Sequence, residues 1–370
     1  MKRFLLLSAA LLAASGALAA RSSAFGVDSF NSAVPAETDS NALFSPIGFE
    51  MDCSVFGEAV DTISRAAIAE SMGVLTDFHG VYRPILDRLE AVAPSNGFHY
   101  VCARAFCLPD ISFATAEYRR RIWDLCGAGV CRLFPQRGAE SWFKAKLMGE
   151  MEEFEIPVDR SQNERYRYYD LASVTAAWRG KSAATTKREF RSASGKGIPM
   201  DFFVLRGTIR YSNAEGRAIY KLPLADGAYL YAIVPAGTET LENVRKAVKG
   251  EKFAEIRTSV DALGDKHAGV AKATVVFPKL DFTARANLAE AFLAAKVKQG
   301  DFTSLKNTLT SRISEQIVRF RVVDDPSVKP DEPEYTSTDL GEVVIDSPFM
   351  FFVHRPEDDV MSVIGQFTGK

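Results

Sequence analysis

Residues 324–341 have the sequence DDPSVKPDEPEYTSTDLG, which differs from everything on either side of it. The stretch contains six acidic residues and three prolines against one base, Lys329. A segment of this composition has no apolar face to bury, so we expect it to be solvated and exposed. Connections longer than about 12 to 15 residues are usually functional or disordered. The alternative is a surface excursion without a function.

Extended apolar segments flank this stretch. Before it, residues 317–323 are rich in Val, Ile and Phe, and after it residues 343–345 and 349–353 repeat that composition. Short runs of branched and aromatic residues bounded by polar turns predict β-strands. The stretch is therefore predicted to be a long loop between strands.

The amino-acid composition limits the classes of protein to which this chain can belong. The chain has 370 residues, of which 47% are hydrophobic and 25% charged, as in soluble globular proteins with a large core. The 45 basic residues nearly balance the 47 acidic ones, so no charge excess indicates a nucleic-acid or anionic-membrane partner. No linker-like composition divides the chain, and we predict one large mixed domain.

The first nineteen residues have the pattern of a secretory signal peptide. Lys2 and Arg3 precede an apolar run over 4–14, and Ala17-Leu18-Ala19 supplies an A-x-A site, so cleavage is predicted before Ala20. The apolar core has about 11 residues, too short for a membrane span of about 20. The mature protein is expected to be secreted or periplasmic, without a membrane anchor.

An odd number of cysteines leaves at least one thiol free in an oxidising compartment. The five are Cys53, Cys102, Cys107, Cys126 and Cys131. No histidine lies near the two C-x4-C pairs, so a disulfide or buried thiols are favoured over zinc. A strand over 98–108, a helix over 116–126 and a strand over 130–134 predict two parallel strands. Cys102 or Cys107 would then face Cys131 in a disulfide.

The rest of the chain divides into an earlier helical part and a later strand-rich part, typical of an α+β fold. Ser45-Pro46 is a strong helix start, and helices are predicted over 62–72, 81–92 and 141–151. The small residues of 171–178 predict a strand inside a sheet. Beyond Gly180, hairpin turns at 213–216 and 226–227 predict a β-meander.

Four stretches, in the right order and at the right intervals, resemble the serpin family, and the resemblance is to divergent, secreted, bacterial-type members. They are NALFSPI (41–47); IPMDFF (198–203) followed by KLP (221–223) and IVP (233–235); VFPKLDF (276–282) with Asn287-Leu288; and SPFMFFVH (347–354) with VIG (363–365). The resemblance implies three β-sheets, about nine helices and an exposed reactive loop. The domain boundaries expected from it are a flexible segment over 20–39 and a single serpin domain over 40–370, with the loop at about 324–341.

The resemblance also implies a function. In the family a serine or cysteine protease takes the loop as a substrate, and the cut loop inserts into the large sheet and traps the protease. We therefore expect a monomeric serine-type protease inhibitor rather than an enzyme, without cofactor, metal or nucleic acid. The contact with the protease is expected at Tyr335, Thr336, Ser337 and Thr338.

The first half of the loop departs from the pattern of inhibitory members. The hinge aligns with Asp325, Pro326, Ser327, Val328, Lys329 and Pro330. Together with Pro333, these prolines remove donors that an inserted strand needs, and the charges would have to be buried. The alternative function is a non-inhibitory serpin scaffold that binds a partner or is cleaved without trapping.

Three further positions depart from the pattern. Aligned on Gly180, Val174 stands where the family has Asn, and Ser182 where it has Trp. Ile317 stands where a His is expected before the hinge. The polar cluster that controls sheet opening in relatives is therefore predicted to be apolar in this chain.

Overall fold

The computed structural model describes residues 23–370 except 75–77, 92–95, 134, 157–165, 180, 215, 263–267, 299–301, 307–312, 326, 329–335 and 358. The predicted signal peptide and the middle of the 324–341 loop thus lie outside the described residues. Among those described, no helix has the length and apolar character required to cross a membrane. Nor do they contain a cluster of three or more His, Cys, Asp or Glu side chains placed to hold a metal ion.

Nine α-helices occur in the described part of the chain, in line with the predicted number. They are α1 (23–33), α2 (Pro46–Gly57), α3 (Thr62–Ser71), α4 (Phe78–Ala91), α5 (Ala116–Cys126), α6 (Gln136–Lys146), α7 (Leu241–Ala247), α8 (Gly250–Ser259) and α9 (Ala289–Ala294).

Local sequence signals explain where several helices begin and end. Ser45 caps α2 by accepting a hydrogen bond from the Gly48 amide at 3.3 Å, and Pro46 occupies the first helical position, as predicted. Helix α5 ends at Gly127, whose φ of 63° favours glycine. Helix α2 is buried on every side, so it forms the central element of the core.

Fourteen strands occur in the same described residues. They are β1 (Ala42–Phe44), β2 (Phe98–Leu108), β3 (Gly129–Arg132), β4 (Arg167–Ala177), β5 (Lys181–Arg191), β6 (Gly197–Ala214), β7 (Arg217–Pro223), β8 (Tyr229–Pro235), β9 (Ala268–Pro278), β10 (Asp281–Asn287), β11 (Ile313–Val323), β12 (Asp339–Val344), β13 (Phe349–Arg355) and β14 (Val360–Phe367).

A five-stranded sheet has the order β10-β11-β4-β2-β3, and the other nine strands form one hydrogen-bonded network. Within that network the 18-residue β6 pairs with β5 and β9 along most of its length and with β7 at its end. The long strand β6 connects all the pairings of this network, which is consistent with two of the three predicted sheets joined through one strand. The α+β fold class is confirmed.

The two faces of the five-stranded sheet bury different clusters. The larger cluster lies between the sheets around α2 and includes β13 and β14. A smaller cluster lies under α6 and includes Phe143, Tyr169 and Ile317. Because side chains alternate along a strand, neighbouring residues of β2, β4 and β11 enter different clusters.

Two predictions about the first half of the chain are wrong. Residues 23–33, predicted to belong to a flexible segment over 20–39, form α1, and Val27 and Phe30 are fully buried in the larger core. Burial of the apolar side chains of α1 offsets the entropy lost when the helix forms. The folded domain therefore begins before residue 40. The helix predicted over 141–151 lies over 136–146 instead, and Met148 and Gly149 have φ values of 50° and 82° that end it.

The aromatic cluster around Phe56 offers a test of the core. Its ring centroid lies 4.5 Å from that of Phe292, 4.9 Å from Tyr168 and 5.1 Å from Phe106. We expect Phe56→Ala to lower the free energy of unfolding by about 3 to 5 kcal/mol, because it opens a cavity that rigid rings cannot fill. The measurement is the first unfolding transition in urea. As the matched control, Ile63→Ala, at a side chain 84% exposed, should leave that transition unchanged; equal shifts would contradict the assignment.

Candidate functional site

The 324–341 loop leaves one sheet and joins another. It begins where β11 ends at Val323 and finishes in β12, which pairs in parallel with β9 of the large network. Of its described residues, Asp324, Ser327, Ser337 and Thr338 are exposed. The composition of the loop predicted this exposure. Of the predicted contact and hinge residues, Tyr335, Pro326, Lys329 and Pro330 lie outside the described residues.

The distal end of the loop is held against β9. The Thr336 hydroxyl donates to the Val270 carbonyl at 2.7 Å, and the Lys272 amide donates to the Thr338 carbonyl at 2.9 Å. Ser337 lies between these two anchors with its side chain exposed. The structure therefore places the backbone of 336–338 alongside β9 and leaves the Ser337 side chain exposed.

The proximal end, where the hinge was predicted, folds into a turn. The Asp325 carboxylate accepts from the Ser327 amide at 2.9 Å and from its hydroxyl at 2.7 Å, and these bonds hold the pKa of Asp325 below its usual value. The Val328 amide donates to the Asp325 carbonyl at 3.1 Å. This is an Asx-turn, the local arrangement that Asp offers in competition with extended structure.

Val328 packs back onto the body of the protein. Its side chain contacts the larger core, and a Cβ atom built on Gly97 would lie 2.5 Å from the Val328 methyl group. Gly97 also has a φ of 73° and its carbonyl accepts from the Ala177 amide at 2.5 Å. The described part of the hinge thus sits over the ends of β2 and β4 and does not enter the sheet.

Beneath the hinge, β4 and β11 form a closed parallel pair. Eleven residue pairs run from Arg167↔Ile313 to Ala177↔Val323, and the Trp178 amide extends the ladder by donating to the Val323 carbonyl at 3.1 Å. The outer neighbours of the pair, β2 and β10, are both antiparallel to it. A chain returning from the end of β11 would run antiparallel to both β4 and β11.

A buried polar cluster joins these two strands to α2. We name it the clamp: Ser45, Tyr100, Asp170 and Gln316. The Gln316 amide nitrogen donates to Asp170 at 2.8 Å and to the Ser45 carbonyl at 3.0 Å, and its oxygen accepts from the Ser45 amide at 2.7 Å. The Ser45 and Tyr100 hydroxyls are hydrogen-bonded at 2.9 Å. All four residues are fully buried, so every one of these bonds is shielded from water.

Charged side chains adjoin the clamp on the side of β2. The Nε atom of Arg104 lies 3.3 Å from an Asp52 oxygen and 3.4 Å from an Asp170 oxygen, and Tyr168 donates to Asp52 at 2.7 Å. Burial and the Asp170 charge raise the pKa of Asp52 well above its ordinary value. Burial also raises the pKa of Asp170, against the opposing effect of Arg104. One guanidinium thus lies between two buried carboxyls, and burial raises the pKa of each.

The prediction of an apolar cluster in this region is therefore wrong. Asp170 and Trp178 are eight positions apart, the same interval that separates Asn and Trp in the family pattern, and Asp170 pairs with Gln316 across the two strands. Ile317 lies on the opposite face in the smaller core, because a shift of one residue along a strand reverses its face. The alignment on Gly180 had assigned the family's Asn and Trp positions to Val174 and Ser182. Each of these residues lies four positions after the matching one, Asp170 or Trp178.

Comparisons with known proteins agree with this fold. The family model described as "Serpin (serine protease inhibitor)" matches residues 20–369. No curated protein matches the chain significantly. Among solved structures, native protease nexin-1 with heparin has a TM-score of 0.78 at 17% identity, covering 96% of this chain and 99% of that one.

Two further solved structures show the same likeness. The thermophilic serpin tengpin in its native state has a TM-score of 0.75 at 14% identity, covering 95% of this chain and 94% of that one. Uncleaved ovalbumin has a TM-score of 0.77 at 16% identity, with coverages of 95% and 100%. At these identities the structural likeness concerns the fold, and the family model extends over nearly the whole sequence. The chain belongs to the serpin family.

Proposed function

We propose that this serpin is a secreted inhibitor of serine-type proteases, with cysteine proteases as a further target class, and that it acts as a monomer through the 324–341 loop. The observation that carries the proposal is the position of the loop. It departs from the end of β11, so a chain that returned between β4 and β11 would run antiparallel to both strands. Family membership supports the same activity.

Insertion at this junction has a physical driving force. It replaces one parallel ladder by two antiparallel ladders, and antiparallel pairing is slightly more stable per residue. The protease first cuts the exposed loop as a substrate, and a cut after Tyr335 would separate the proximal half from the anchors at Thr336 and Thr338. The freed half then enters the sheet while the protease is still attached as an acyl-enzyme. The free energy stored in the closed sheet thus drives the kinetic trapping of the protease.

Three features of this chain oppose insertion. Pro326, Pro330 and Pro333 each lack a backbone donor, and the Asp325 turn must unfold. The hydrogen bond from Gln316 to Asp170 must also break, which leaves a buried donor and a buried acceptor without their partners. These features favour a second candidate function, a serpin scaffold that binds a partner or is cleaved without trapping.

The residues proposed to contact the protease are Tyr335, Thr336, Ser337 and Thr338. A cut after Tyr335 would suit a chymotrypsin-like protease with a large hydrophobic specificity pocket, and a cut after Ser or Thr would suit an elastase-like one. Ser337 is exposed between two neighbours that are hydrogen-bonded to β9. This exposure supports a role for Ser337 as a substrate residue.

The first prediction concerns trapping. We expect the mature protein, incubated with chymotrypsin-like and elastase-like proteases, to form a covalent adduct detectable by intact mass, and the cleaved fraction to melt at a higher temperature. Replacing Pro326, Pro330 and Pro333 together by Ala should increase the fraction of adduct over simple cleavage, because it restores three ladder donors.

The two candidate functions give different results in this experiment. A clean cut within the loop by every protease, without adduct and without a rise in Tm in either the wild type or the triple variant, would exclude trapping and leave the scaffold function. An adduct in the triple variant alone would assign the loss of trapping to the prolines.

The second prediction concerns the clamp. We expect Gln316→Ala to raise amide hydrogen exchange in β4 and β11 by about tenfold, because it leaves the Ser45 amide and Asp170 without their buried partner. Gln366→Ala is the matched control. It removes another buried glutamine, bonded to the Thr38 and Ser40 carbonyls beside β14, and should not change exchange in β4 or β11. The same response to both variants would show that Gln316 has no special role at the junction.

The third prediction concerns export. If residues 1–19 direct secretion, protein recovered from the culture medium or periplasm of an expressing cell should begin at Ala20. Amino-terminal sequencing or intact mass makes the measurement. Replacing both Ala17 and Ala19 by bulky Leu should block processing, since the cleavage site requires small residues. Full-length protein with Met1 in the cytosol of wild-type cells would contradict the assignment.

A further inference from the structure

Two cysteines of the five-stranded sheet lie side by side. Cys107 of β2 and Cys131 of β3 are directly paired in the parallel register, and their sulfur atoms are 3.0 Å apart. Cys107 is fully buried beneath α6, and Cys131 is partly exposed at the edge of the sheet. Directly paired residues of neighbouring strands have Cα atoms within the range that a disulfide can span.

The other three cysteines have different surroundings. Cys102 lies five residues before Cys107 and therefore on the opposite face of β2, where its sulfur donates to Glu90 at 3.1 Å and accepts from Arg104 at 3.3 Å. The Cys126 sulfur lies 3.7 Å from the His79 ring. Cys53 is buried in α2. The sequence left Cys102 and Cys107 as alternatives for Cys131, and the register of the strands favours Cys107.

We propose that Cys107 and Cys131 form a disulfide that fastens β3 to β2. Neither the family assignment nor the protease mechanism requires this bond. It concerns the pair β2 and β3 at one edge of the sheet, whereas the loop junction lies between β4 and β11. Its test therefore succeeds or fails independently of the proposed inhibition.

The accessible thiol and the buried thiol have separate roles in bond formation. The Cys131 thiolate attacks a small-molecule disulfide, gives a mixed disulfide and releases one small thiol. Cys107 then loses its proton and displaces the second small thiol, so that the S–S bond of the oxidant is reduced as that of the protein forms. The adjacent Cys131 thiol and burial raise the pKa of Cys107, which suits the residue to the second step rather than the first.

The bond would fasten the shortest described strand of the sheet. β3 has only four residues and, within the described part of the chain, pairs only with β2, through Ala105↔Gly129 to Leu108↔Arg132. Helix α6 covers it closely, since a Cβ atom on Gly129 would lie 2.4 Å from the Trp142 ring. A short edge strand with one partner can separate from its sheet, and a covalent bond prevents this.

The experiment uses the mature chain equilibrated in a glutathione redox buffer, then alkylated in denaturant without reduction and digested. We expect a linked peptide containing Cys107 and Cys131, with three of the five cysteines alkylated. Cys131→Ser should abolish the linked peptide, and the matched control Cys102→Ser should retain it. Oxidation should raise the Tm by about 5 °C in the wild type and in Cys102→Ser, and not in Cys131→Ser.

Three results would overturn the proposal. Alkylation of all five cysteines after oxidation would mean that the two thiols are only hydrogen-bonded. A linked peptide joining Cys131 to Cys102 would mean that the register of β2 and β3 differs from the one described. A bond between Cys107 and Cys131 that leaves the Tm unchanged would overturn its role in fastening β3.

Discussion

The parallel pairing of β4 with β11 is the contact on which the rest of the molecule depends. It joins the middle of the five-stranded sheet, sets the point from which the exposed loop departs, and positions the buried face against α2. A single glutamine bridges the two strands and the helix cap, through Asp170 on one side and the Ser45 backbone on the other. The bonds that close the sheet are therefore also bonds that any opening must break.

The buried charges around Arg104 specify this arrangement as much as they stabilise it. Desolvating a guanidinium and two carboxyls is costly, and their mutual attraction offsets the cost only if the groups meet in good geometry. Asp52 comes from α2, Arg104 from β2 and Asp170 from β4, so a slip of one residue in either strand would leave a charge unpaired in the core. We attribute the uniqueness of the strand register partly to this penalty.

Local chemistry explains which elements were predictable. The bounds of β2 and α5 agree with those predicted. The signals for both are local, since β2 is a largely apolar run and α5 ends at a glycine. Helix α1 was missed because its burial comes from partners far along the chain, including the α7–α8 region, where the Asn31 side chain donates to the Val248 carbonyl. The displaced alignment of Asp170 and Trp178 had the same origin, since only pairing with β11 shows which face a residue of β4 occupies.

The sequence by itself determined that the chain has a mixed fold with serpin motifs, and that residues 324–341 are an acidic stretch whose predicted hinge contains prolines. These properties follow from composition and short-range pattern, which need no partner segment. Only the tertiary structure decided that Gln316 meets Asp170, that Val328 is anchored over Gly97, and that Cys131 faces Cys107 rather than Cys102. The reason is physical: strand register selects contacts between residues far apart in sequence, and each shift of one residue exchanges the two faces of a strand.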